Sequence, residues 1–105
     1  MATSEERIAQ NEVLFREVNE RIREVEKEPQ LHILCECGDE DCTRLIGMTL
    51  EEYERLRADP VAFAVVPGHE TASVEEVVAR ETYHVVRKRP GEQRLARRSD
   101  PRAGD

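Results

Sequence analysis

A chain of 105 residues is one domain at most, and at that size its core is marginal enough that a metal ion or a partner subunit would help. Aromatic residues make up 4% of it and tryptophan is absent, so the core must be aliphatic, while 37% of residues are charged. The net charge of −7 argues against broad affinity for nucleic acid or anionic membrane, since both need a cationic face.

The charge is unevenly placed. From Arg87 onward seven cations (Arg87, Lys88, Arg89, Arg94, Arg97, Arg98, Arg102) face three acids, a net +4 that leaves −11 for the residues before them. No apolar run approaches the length of a membrane span, and Met1-Ala2-Thr3-Ser4-Glu5-Glu6 does not read as a signal peptide. The expectation is a cytoplasmic protein whose thiols stay reduced.

Residues from about Glu5 to Glu28 predict one long amphipathic helix, capped by Thr3 or Ser4 and stopped by Pro29. Ile8, Asn11, Phe15, Val18, Ile22 and Val25 form a heptad-like stripe that faces either the domain's own sheet or a partner. In the second case Asn11 would fix the register. Glu12–Arg16 and Glu17–Arg21 read as exposed ion pairs four residues apart. Leu31 to Cys35 and Arg44 to Thr49 are short strands with a cysteine loop between them. Thr49-Leu50-Glu51-Glu52 is a capping box that opens a helix to about Ala58, ended by Pro60. Val61 to Val66 is a buried strand, and Pro67-Gly68 is a turn that delivers His69. Ser73 and Glu76 suggest another cap and a short helix to Arg80, followed by a last strand from Tyr83 to Lys88. The composition after Arg89 predicts a disordered basic tail. The domain plan is therefore a helix over 1–28, a zinc-binding α+β domain over 29–89 and a tail over 90–105.

Chemistry concentrates in Cys35-Glu36-Cys37-Gly38-Asp39-Glu40-Asp41-Cys42. Three cysteines within eight residues make a poor disulfide framework but a good thiolate cluster for zinc, which favours sulfur and imidazole in a tetrahedron. Gly38 would allow the strained or left-handed turn that folds the loop back. The fourth ligand must come from elsewhere. His32 has the opposite strand parity to Cys35 and Cys37, and His84 sits inside a strand, so His69 on its rigid Pro-Gly turn is the preferred donor. An acidic residue of the loop is a lesser choice. Competing readings are redox-active thiols and unliganded cysteines. The acids Glu36, Asp39, Glu40 and Asp41 would raise the thiol pKa values, which disfavours a reactive thiolate unless a cation sits there. Three cysteines and a histidine leave zinc no open position, so the site is structural. If His69 were not a ligand, water in the fourth place would allow catalysis.

The pairs Glu51-Glu52 and Glu75-Glu76 read as first-turn residues of helices, not as catalytic carboxylates. No phosphate loop, nucleophile elbow or dinucleotide fingerprint is present, and no catalytic residue is assigned. The run Phe15 to Ile22, the cysteines 35, 37 and 42, Thr49-Leu50-Glu51-Glu52-Tyr53 and Pro67-Gly68-His69-Glu70 together resemble a group of small actinobacterial proteins with a Cys-x-Cys-x4-Cys loop and a Pro-Gly-His turn. The resemblance spans roughly residues 10 to 88. It implies that Cys35, Cys37, Cys42 and His69 act as one site, and it implies no activity. The expectation is a non-enzymatic zinc protein, α+β in class with a small mixed sheet, serving as an interaction or regulatory module. Its partner would be a protein or a second copy met through the N-terminal helix. Alternatives are a nucleic-acid- or transcription-associated accessory protein acting through the basic tail, and a thiol-based redox or metal sensor.

Overall fold

The computed structural model describes residues 3–102. Helix α1 runs Ser4–Val25. Thr3 caps it, its hydroxyl accepting from the Glu6 N–H at 3.1 Å. The helix stops before the expected Glu28 because Glu26 is extended and its carboxylate accepts the N–H groups of Lys27 and Glu28. Strands β1 (Gln30–Leu34) and β2 (Leu45–Thr49) pair antiparallel, with Leu34 opposite Leu45, so the cysteine loop is the tip of a hairpin. Alternation along β1 buries Leu31 and Ile33 and leaves His32 exposed. Thr49 then caps α2 (Leu50–Arg57) through a complete capping box with Glu52.

Strands β3 (Ala62–Val65), β4 (Glu75–Arg80) and β5 (His84–Lys88) form a second antiparallel sheet in the order β3-β5-β4. The fold is α+β, as the patterning predicts, with two antiparallel sheets where one mixed sheet was expected. The core is formed by Leu31, Ile33, Ile46, Met48, Leu56, Val61, Val65 and Val86, filled out by Tyr53 and Phe63.

Three expectations need correction. Residues 75–80 are strand, not helix: a run with two valines and an alanine pairs with β5 and gains ladder hydrogen bonds that a short isolated helix could not match. Glu75 consequently lies buried rather than in a helical first turn. The basic segment is ordered over most of its length, with a 3-10 turn at Pro90–Glu92 and helix α3 at Arg94–Arg98. Ala96 is buried against the core, and residues 103–105 of that expected tail lie outside the described residues.

The third correction concerns α1. Its inward face is polar: Glu12, Arg16 and Asn19 are buried, while Leu14, Val18 and Val25 stay exposed. The Arg16 guanidinium donates to the carbonyls of Pro60 (2.7 Å) and Ala96 (2.9 Å). Lys88 reaches from β5 to Glu12 at 2.6 Å and to Glu75 at 3.7 Å, all three side chains being 1% exposed. Glu12–Arg16 is therefore no surface pair. Each member is spent on a different tertiary contact.

Candidate metal centre

The site is held from below by a residue between the cysteines. Cys35 leaves β1 with its N–H on the Arg44 carbonyl at 2.9 Å. Cys35, Glu36 and Cys37 are all buried, but the Glu36 carboxylate is directed to Ala64, Arg57 and Asn19 while the Cys35 sulfur lies toward His69. Glu36 is fully buried; its N–H donates to the Ala64 carbonyl on β3 at 2.8 Å and its carboxylate accepts the Ala64 N–H at 3.0 Å. Arg57 grips the same carboxylate with two hydrogen bonds of 2.6 and 2.8 Å, and the Asn19 amide adds one at 2.7 Å. Asn19 also closes on the backbone of Leu34 in both directions. Thus α1, α2 and β3 converge on one carboxylate that fixes where Cys35 and Cys37 stand. Glu36 is not part of the acidic rim around the thiols, as its place among Asp39, Glu40 and Asp41 had suggested. Strand parity gives no signal of this, since Glu36 shares the parity of exposed His32 and is buried only because Arg57, Asn19 and Ala64 meet its carboxylate.

Gly38 has a different role from the one expected. Its φ is not positive, and what it provides is space. A Cβ there would lie 2.4 Å from a methyl carbon of Ile8, and the Gly38 carbonyl accepts from Asn11 at 2.9 Å. The left-handed glycine is Gly68, at φ 95°, immediately before His69. That turn, closed by the His69 N–H on the Val66 carbonyl at 2.9 Å, swings the imidazole over the cysteine loop.

Cys35, Cys37, Cys42 and His69 offer four donor atoms that all lie within 4.8 Å of one another. His69 Nδ1 is 3.6 Å from the sulfur of Cys35 and 3.6 Å from that of Cys42. One ring N–H cannot be aimed at two sulfurs at once. The Cys35 sulfur further accepts the Val66 N–H at 3.2 Å. Burial pushes the Cys35 thiol well above its usual range, and the adjacent thiols add to this; burial raises Cys37 as well. The cluster is thus strained as three anionic thiolates without a cation, and could hold a metal ion that supplies the missing positive charge. With four donors converging on one point it would be a closed site.

The other histidines are elsewhere engaged. His32 is exposed on β1 beside Gly47. His84 Nδ1 is 3.2 Å from the Glu70 carboxylate, which in turn accepts from the Gly68 N–H and so braces the turn bearing His69. Among the described residues no helix is long and apolar enough to cross a membrane. No protein-family model, curated protein or solved structure matches this chain.

Proposed function

We propose that the chain is a small non-enzymatic zinc protein, in which a closed Cys3His centre staples the β1–β2 hairpin to the β3–β4 loop so that the rest of the surface can serve as an interaction or regulatory module. The observation that carries the zinc reading is the equal 3.6 Å spacing of His69 Nδ1 from two sulfurs. Zinc–sulfur and zinc–nitrogen bonds of about 2.3 and 2.0–2.1 Å in a tetrahedron put those atoms about 3.6 Å apart along an edge. The buried Glu36–Arg57 pair supports a structural role, since it fixes two ligands before any metal binds.

Cobalt(II) substitution tests this directly. A tetrahedral cobalt–thiolate centre gives intense visible bands, and titration should saturate at one equivalent, with Cys42→Ser weakening the charge-transfer bands. A weak, octahedral-type spectrum would sink the closed-site reading. The interaction role is supported by the outer face of α1, where Leu14 and Val25 are 57% and 75% exposed. A helix that turns its charges inward and its leucine outward leaves apolar surface for a protein partner or a second copy.

A further inference from the structure

We propose that Cys37 and Cys42 form a reversible disulfide that small neutral peroxides trigger and that ejects the metal, while Cys35 takes no part. This rests on the zinc reading above and adds a modification site to it.

The three sulfurs share one cluster but are held in different ways. Cys35 is 1% exposed, tied by its N–H to Arg44 and by its sulfur to the Val66 N–H. It has no route to solvent and no freedom to move. Cys42 is partly exposed at the end of a loop whose residues 39–41 are exposed. The bonds that shape this loop are its own: the Cys42 N–H to the Asp39 carbonyl at 3.0 Å and the Asp41 N–H to the Asp39 carboxylate at 2.9 Å. Cys42 can therefore travel with the loop. Cys37, itself 2% exposed, differs from Cys35 in lining a cleft of about 240 Å³ together with Gly38, Asp39, Gly68, His69 and Thr71. An oxidant approaches Cys37 from that cleft or Cys42 from its exposed loop, and the two sulfurs already lie within 4.8 Å. A five-residue step from Cys37 to Cys42 is enough to close a small ring once the loop moves by less than 3 Å, roughly the difference between that separation and an S–S bond of about 2.0 Å.

The electron count closes with hydrogen peroxide as the oxidant. One thiolate attacks a peroxide oxygen, the O–O bond breaks, hydroxide leaves and the sulfur becomes a sulfenic acid. The second thiolate attacks that sulfur, the S–S bond forms and a second hydroxide leaves. Two electrons from sulfur have reduced one peroxide, and protons from solvent turn both hydroxides into water. Zinc is left with Cys35 and His69, too few ligands to retain it. The rim also selects the oxidant. Asp39, Glu40 and Asp41 ring the loop of a chain whose net charge, these acids included, is −7, so an anionic disulfide such as oxidised glutathione is repelled where neutral peroxide is not.

The experiment uses the zinc-loaded full chain, with its zinc content measured first. Peroxide should release the zinc to a chromogenic indicator, leave a cross-linked Cys37–Cys42 peptide on proteolysis, and leave Cys35 free to alkylate. A thiol reductant plus zinc should restore the starting protein. Oxidised glutathione at equal concentration should act at least tenfold more slowly, and the Glu40→Gln, Asp41→Asn double variant should narrow that gap without altering the peroxide rate. A disulfide that includes Cys35, or zinc that stays bound while peroxide is consumed, overturns the proposal and leaves the zinc centre intact. A chain that holds no zinc at the outset defeats the metal reading, and this one with it.

Discussion

Glu36 shows how much one side chain can decide. It is fully buried, and Arg57 beside it is 2% exposed at the side chain. An ion pair this deep need not add net stability, but removing one partner strands the other charge, at about 3–5 kcal/mol. Arg57→Ala should therefore lower the urea midpoint by that equivalent and, because Glu36 aligns two ligands, weaken zinc affinity by about 10–100-fold in a competition titration. Unchanged affinity in a folded variant would remove Glu36 and Arg57 from the site. Gly38 makes a second residue-scale case. Gly38→Ala should destabilise by roughly 1–3 kcal/mol through overpacking against Ile8. Adding Ile8→Ala should recover part of that loss, which a cost arising from backbone strain would not allow.

At the scale of elements, α1 and α3 are where sequence and structure part. The apolar spacing of α1 correctly marks a helix, but periodicity reports only where apolar side chains lie and not which face docks. Here docking is polar: Asn11, Glu12, Arg16 and Asn19 each reach a specific acceptor or donor elsewhere in the chain, over 15 to 80 residues of sequence separation. No local pattern encodes those partners. For the same reason α3 was invisible as structure, since an Arg-rich segment with Pro and Gly looks disordered until Arg16 supplies a donor for its Ala96 carbonyl and Glu20 and Glu54 bind Arg102. Ending the chain after Gln93 should cost about 1–3 kcal/mol in chemical denaturation, because the Arg16 guanidinium loses an acceptor. A truly disordered tail would be removable without effect. On the outer face, Leu14→Asp with Val25→Asp should leave the thermal midpoint nearly unchanged and abolish any self-association or partner binding seen by sedimentation. If the variant unfolds, that face belongs to the core.

The whole molecule behaves as an acidic body that absorbs its basic end. Arg87 pairs with Asp59, Arg89 with Glu76, and Arg102 with Glu20 and Glu54, while Lys88 lies between the buried carboxyls of Glu12 and Glu75. Arg94, Arg97 and Arg98 stay exposed on α3, so the part of the tail's charge that could meet a polyanion is confined to that short helix. The cost is paid inside. Burial, reinforced by Glu75 opposite it, raises the Glu12 carboxyl from 4.5 to about 9 even with Lys88 alongside. The folded protein thus holds a proton that the unfolded chain releases above pH 4.5. The contribution of Glu12 to stability is full below that pH and falls as pH rises toward 9. Glu12→Gln should flatten this decline in denaturation curves measured from pH 5 to 9, and a slope equal to that of the wild type would locate the proton elsewhere.

The Cys3His cluster was the most legible feature of the sequence, since ligand chemistry and turn chemistry are both local: three cysteines on a hairpin tip, and one histidine after Pro67-Gly68. What lay beyond reach was the buried support of Glu36, Arg57 and Asn19, which exists only once three elements have met. The measurement that tests the account most directly is native mass spectrometry of the full chain paired with thermal unfolding, before and after a zinc chelator. One zinc per chain, lost together with the cooperative transition and restored with it, is the predicted result. A metal-free chain that unfolds cooperatively at the same temperature with or without added zinc would contradict it.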